Sequence, residues 1–180
     1  MGRYLDSREP FESYRGIAGT RFFVDKTLLL EDILKAVEVD GQRYLCITRP
    51  RRFGKSVMAN MVAAFLGRAE ETGDLFSRLE IGQSECCHGH LNQYPVIYID
   101  FSEIPENCVS YREYISRVLE GLKQDLSEAF PEIVTDKGIS VWDILKQVFR
   151  KAGKKFVFVI DEWDSIFHMS FNVLSESLCA

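Results

Sequence analysis

The apolar run Tyr44-Leu45-Cys46-Ile47 leads into Thr48-Arg49-Pro50-Arg51-Arg52-Phe53-Gly54-Lys55-Ser56, and an apolar stripe at helical spacing follows at once. A strand, a loop closing on Gly-Lys-Ser and a helix form the arrangement in which backbone N–H groups and the positive end of a helix surround a phosphate. In that reading the Lys55 ammonium meets the β- and γ-phosphates, and the Ser56 hydroxyl ligates Mg²⁺. Arg49, Arg51, Arg52, Phe53, Gly54 and Val57 complete the phosphate-facing segment. Arg49 stands where such loops usually carry their first glycine, and Pro50 offers no N–H donor. The loop alone is a partial match and calls for a second site.

The flanking sequence alternates helical and strand patterns. Residues 1–20 carry Pro10, Gly16 and Gly19 and read as an extended lead-in. Asp25 is placed to cap a helix whose stripe is Leu28, Leu29, Ile33, Leu34 and Val37, stopping at Asp40-Gly41. Residues 44–48 predict a strand. Beyond the loop, Met58, Met61, Val62, Phe65 and Leu66 recur with a period near that of a helix and read as core. Residues 70–94 read as loop, anchored by Leu75, Phe76, Leu79 and Ile81. A second strand spans 95–101. Ser110 with Glu113 signals a capped helix, Ser140 another that Gly153 stops, and Phe156-Val157-Phe158-Val159-Ile160 has the continuous apolarity of a central parallel strand. This order predicts an α/β fold, a parallel sheet with right-handed crossovers flanked by helices. The lead-in is 1–20, the domain 21–170 and the tail 171–180.

The second site sits at the end of that last strand, in Asp161-Glu162-Trp163-Asp164. An apolar run ending in Asp-Glu is the usual form of a Walker B element, and ligands of α/β sheets gather at the carboxyl ends of the strands. Asp161 holds Mg²⁺, mostly through water, and Glu162 orients and polarises an attacking water, the two tasks phosphoryl transfer requires. Asp100 also ends an apolar strand, but Phe101-Ser102 and no second carboxylate follow it, so Asp161 is preferred. Cys86-Cys87-His88-Gly89-His90 lacks the spacing of a zinc site and reads as a surface loop.

Composition narrows the function. With 180 residues, 46% of them hydrophobic, the chain can bury one core, and a net charge of −5 excludes a general polyanion binder. Yet residues 41–56 hold Arg43, Arg49, Arg51, Arg52 and Lys55 without a carboxylate. That local charge keeps open an alternative, a nucleic-acid-binding or interaction module in which Arg49, Arg51 and Arg52 grip a phosphate backbone. No acceptor-site or lid motif suggests a nucleotide kinase. Five cysteines without framework spacing suit a reducing compartment, no apolar h-region opens the chain, and no run approaches membrane-spanning length. A cytoplasmic location follows.

Phe23-Val24-Asp25-Lys26-Thr27, Ile47-Thr48-Arg49-Pro50-Arg51-Arg52-Phe53-Gly54-Lys55-Ser56, Tyr94-Pro95-Val96-Ile97 and Ile160-Asp161-Glu162-Trp163-Asp164 occur in that order. Together they resemble the AAA-ATPase-like domain family of bacterial P-loop proteins, over about residues 10–168. The resemblance implies a P-loop sheet with strand 95–101 at an edge and 156–160 nearer the middle. It implies ATP and Mg²⁺ as cofactors, held by Lys55, Ser56, Asp161 and Glu162, and accommodates Arg49 as the family's own usage. Trp163 replaces the family's more usual Tyr, and Asp25-Lys26-Thr27 is expected near the nucleotide base. The family continues into a further strand, a lid and often a nuclease-like domain, so a chain ending at Ala180 is expected to be a fragment in which binding outweighs turnover. The work the nucleotide drives, and any protein or nucleic-acid partner, are not implied.

Overall fold

A computed structural model describes residues 2–38, 44–48, 50, 53–85, 87–102, 108, 110–134 and 139–165. Arg49, Arg51 and Arg52, the helix stop at Asp40-Gly41, Cys86 and the tail 171–180 lie outside the described residues. Helices α1 (Glu9–Ala18), α2 (Leu29–Glu38) and α3 (Lys55–Leu66) precede two short helices, α4 (Gly73–Phe76) and α5 (Cys87–His90), with a 3₁₀ turn (Glu80–Gln83) between them. Strand β1 (Val96–Asp100), helices α6 (Tyr111–Ala129) and α7 (Val141–Ala152), and strand β2 (Val157–Asp161) follow. β1 and β2 pair in parallel, Val96 against Val157 and Asp100 against Asp161, so α6 and α7 form the crossover. The fold is α/β, as expected. Among the described residues no helix is long and apolar enough to cross a membrane.

Alternation along the strands sends successive side chains to opposite faces and gives the sheet two packed sides. Val96 and Val159 face Met58, Met61, Val62 and Phe65 of α3, with Leu30 and Leu34 of α2 and Tyr14 of α1 behind them. Ile97 and Ile99 face Tyr114, Val118, Leu122 and Leu126 of α6 and Ile144 and Val148 of α7. The crossover helices start and stop where local chemistry dictates. Ser110 Oγ accepts from Glu113 N–H and Ser140 Oγ from Asp143 N–H, each at 3.2 Å, and Gly153 ends α7 with φ +63°.

The segment 70–94, read from sequence as loop, holds α4, the 3₁₀ turn and α5, the last within the Cys86–His90 segment. Four further features differ from the sequence reading. Residues 9–18 are helical and not an extended lead-in: Pro10 lies in the first turn, where its missing N–H costs nothing, and Tyr14 fixes the helix to the core. The segment before α1 also covers the outer edge of β1. Asp6 N–H donates to Val96 O (2.8 Å), Tyr98 N–H donates to Tyr4 O (2.9 Å), and the buried Asp125 carboxylate accepts from the N–H groups of Tyr4 (2.7 Å) and Leu5 (3.0 Å). Residues 44–48 form no strand and Tyr44 is 91% exposed, because no described strand offers them a ladder and an isolated extended segment has none of its own.

For the same reason β2 is less buried than a central strand. β1 is its one described neighbour, and Phe158 and Ile160 are about half exposed. Finally, Asp25 does not cap α2. Its Oδ1 accepts from the N–H (2.8 Å) and hydroxyl (2.7 Å) of Thr27, and the helix begins two residues later at Leu29.

Candidate functional site

The direction of α3 locates the site. Leu66 O accepts from Tyr94 N–H (3.0 Å), and Gly67 bridges Tyr94 in parallel, which ties the C-terminus of α3 to the entrance of β1. From there α3 packs back across the Val96 and Val159 face, against the direction of the strands. Twelve helical residues rise about 18 Å, and five strand residues about 16 Å. The first turn of α3, with Lys55 and Ser56, therefore comes level with the carboxyl ends of β1 and β2, where Asp100 and Asp161 sit.

That first turn is flanked at its N-terminus by glycine. Gly54 precedes it with φ +76° and ψ +31°, a left-handed conformation that other residues adopt at a cost. Gly54 O accepts the first helical bond, from Met58 N–H at 3.0 Å. Glycine brings no side-chain acceptor to the exposed N–H groups, and the turn holds no acidic residue. Lys55 is half-buried, Ser56 is exposed, and Val57 packs part of its side chain on the core. Phe53 is exposed, and its N–H donates to Pro50 O at 3.3 Å.

Across from it, Asp161 is only 6% exposed. Its Oδ1 accepts from Glu162 N–H at 3.0 Å, while its Oδ2 is buried with no hydrogen-bond partner among the described residues. Buried carboxylate oxygens are normally satisfied, so this one is an exception. Glu162 is half-buried and has φ +48°, held by a turn in which its carbonyl accepts from Ser165 N–H at 2.9 Å. A glutamate in left-handed backbone stores strain, a condition that concentrates at functional sites. Trp163 beside it is exposed.

Among the described residues no three His, Cys, Asp or Glu side chains gather into a complete metal cage. In the Cys86–His90 segment, the side chains of Cys87 and His88 lie outside the described part. The His90 ring stacks on Tyr94, with Nδ1 2.7 Å from its hydroxyl.

Sequence reasoning missed two clasps that hold this architecture. Asp25 Oδ2 accepts from Glu80 N–H (2.7 Å) and the fully buried Thr27 Oγ1 from Ile81 N–H (3.0 Å), so both side chains tie to the 3₁₀ turn. Tyr14, stacked on Phe76 in the same region, has its proton held well above the ordinary tyrosine range, first by burial and then by the Asp25 charge. Asn92 is the second clasp. Its Oδ1 accepts from Thr72 N–H and Oγ1 (both 3.1 Å), and its Nδ2 donates to the carbonyls of Gly67 and Glu70. Only its left-handed φ of +56°, favoured by Asn, connects to a sequence signal.

With this geometry in place, comparison with protein families gives one match: the model for AAA-ATPase-like proteins, described as predicted AAA-ATPase, fits residues 11–176. The chain belongs to the AAA-ATPase-like family. Comparison with curated proteins and with solved structures gives no match. Membership carries nucleotide binding, and ATP binding in general, as the family property. It places within the matched span the Gly54-Lys55-Ser56 turn, the Asp161-Glu162 strand end and the Asp25-Lys26-Thr27 clasp.

Proposed function

We propose that the chain binds Mg-ATP between the first turn of α3 and the carboxyl ends of β1 and β2, as a P-loop NTPase domain spanning 21–170. The observation that carries this reading is the buried Oδ2 of Asp161, which has no partner among the described residues. The residues fit the cation. Mg²⁺ takes hard oxygen ligands, keeps several waters, and is typically held by one or two carboxylates together with substrate phosphates. Asp161 and the Ser56 hydroxyl would hold it, so an incomplete protein cage is what such a site needs. When bound, the ion neutralises charge on the phosphoryl oxygens.

The chain's own residues divide the remaining work. The N–H groups of the α3 first turn donate to the phosphate oxygens, the Lys55 ammonium adds a full charge, and Phe53 and Gly54 shape the backbone around them. Arg49, Arg51 and Arg52 balance triphosphate charge. Glu162, presented from the strand end by its left-handed backbone, orients and polarises a water for attack.

Isothermal titration of Mg-ATP against the wild type and Lys55→Ala tests the reading. Affinity should fall by roughly tenfold or more in the variant, a loss of about 1.4 kcal/mol or greater. Equal affinities would refute it. Glu162→Gln should keep the binding and abolish any hydrolysis the wild type shows.

A further inference from the structure

Asp100 has no place in the binding reading above, yet the sheet sets it beside the site. It is the in-register partner of Asp161, the last pair of the β1–β2 ladder. In-register residues of parallel neighbours project from the same face on strands about 4.8 Å apart. That face is the one α3 crosses, since Val96 and Val159 at the same parity pack against α3. Asp100 Oδ1 accepts from Ser102 N–H at 2.8 Å, which fixes the carboxylate at the strand end. It is half-buried, and its Oδ2 is engaged by no described residue.

Two aligned carboxylates alone are an acidic cluster, but here one of them is only 6% exposed, with an oxygen that no described residue satisfies. Like charges on neighbouring strand ends repel each other, and a cation beside them removes that cost. We infer that Asp100 is a second carboxylate of the divalent-cation site, acting through a cation-bound water while Asp161 faces the ion. The inference rests on the proposed Mg-nucleotide site and adds a positioning residue to it.

The probe is Mn²⁺, followed by the electron paramagnetic resonance of the free ion, titrated into the full chain saturated with ADP. Asp100→Asn should weaken Mn²⁺ binding on the order of tenfold, as loss of an outer-shell partner does. ADP affinity in EDTA should stay within about twofold of the wild type, because no phosphate contact is removed. Asn and Ser both keep an acceptor for Ser102 N–H, so Asp100→Ser should reproduce the effect, and unchanged far-ultraviolet circular dichroism excludes misfolding. If both variants bind Mn²⁺ like the wild type while Asp161→Asn does not, Asp100 is no part of the site and the inference falls alone. If Lys55→Ala binds ADP like the wild type, the nucleotide reading fails and takes the inference with it.

Discussion

Replacing Asp161 by Asn should make the ligand-free protein more stable and the liganded protein less so. Asp161 keeps only 6% of its surface in water, and one of its two oxygens has no partner. An unsatisfied buried polar group costs about 1–3 kcal/mol, more when charged. Asn keeps the Oδ1 that accepts from Glu162 N–H, so the strand-end turn survives. Its amide also lacks a partner, so only the charged part of the penalty is relieved, about 1–2 kcal/mol. In a chain of this size each kcal/mol moves the melting temperature by about 2–4 °C, so the variant should melt about 2–8 °C higher in EDTA.

Saturating Mg-ATP reverses the order. A ligand at about a hundred times its Kd adds about 2.7 kcal/mol to the wild type, and the variant, without its cation ligand, gains much less. The two melting curves should therefore exchange places between EDTA and Mg-ATP, followed by circular dichroism at neutral pH. A variant that melts below the wild type in EDTA would refute the reasoning, since the Oδ2 would then be satisfied within the fold.

Two further predictions concern the clasps. Asn92→Ala removes four hydrogen bonds at about 1 kcal/mol each and forces alanine into left-handed backbone at about 1–2 kcal/mol, so urea unfolding should show a loss of about 5–6 kcal/mol. Asn92→Gly should lose about 1 kcal/mol less, and equal losses would mean the backbone is unstrained. Tyr14→Phe deletes a buried hydroxyl that has no partner among the described residues and should stabilise the protein by about 1 kcal/mol near neutral pH. The sign of its pH dependence follows from a proton held more tightly in the folded state than at the ordinary value of 10.0. That stabilisation is whole below pH 10.0 and is lost as the pH rises above it, so the wild type should lose stability in that range and Tyr14→Phe should lack this component. Parallel decline of both proteins in urea midpoints taken between about pH 9 and 11 would count against it.

What the sequence disclosed and what it concealed divide along contact range. The caps at Ser110, Ser140 and Gly153 form within three or four residues, and the structure has them where the sequence placed them. The strands 96–100 and 157–161 were legible because both find a partner in each other. Residues 44–48 carry an equally apolar pattern, but strand formation is a property of a pair, and no described neighbour completes it. Asp25 has the right identity for a cap and serves a different one, because Glu80, 55 residues away, competes for its second oxygen. Asn92 could not be singled out, since its partners lie 20–25 residues upstream. For the proposed site, candidate residues and their order along the chain were legible. The direction of α3 and the register that sets Asp100 beside Asp161 were not, because both depend on the packed sheet.

Two costs coincide at this end of the sheet, beside the left-handed glycine that opens α3. Glu162 adopts left-handed backbone after β2 without the exemption glycine enjoys, and Asp161 buries an oxygen unpaired among the described residues. The glutamate strain alone is worth about 1–3 kcal/mol, and the orphan oxygen about as much. Each could be removed by one substitution without disturbing the two cores, which lie further along the strands at Val96, Ile97 and Val159. A fold selected for stability alone has no reason to keep them together. A charged ligand that satisfies the Asp161 oxygen, meets the N–H groups of the α3 first turn and uses the Glu162 carboxylate gives both one cause. The exchange of melting order on adding Mg-ATP tests that shared cause directly, because no explanation confined to the ligand-free fold predicts it.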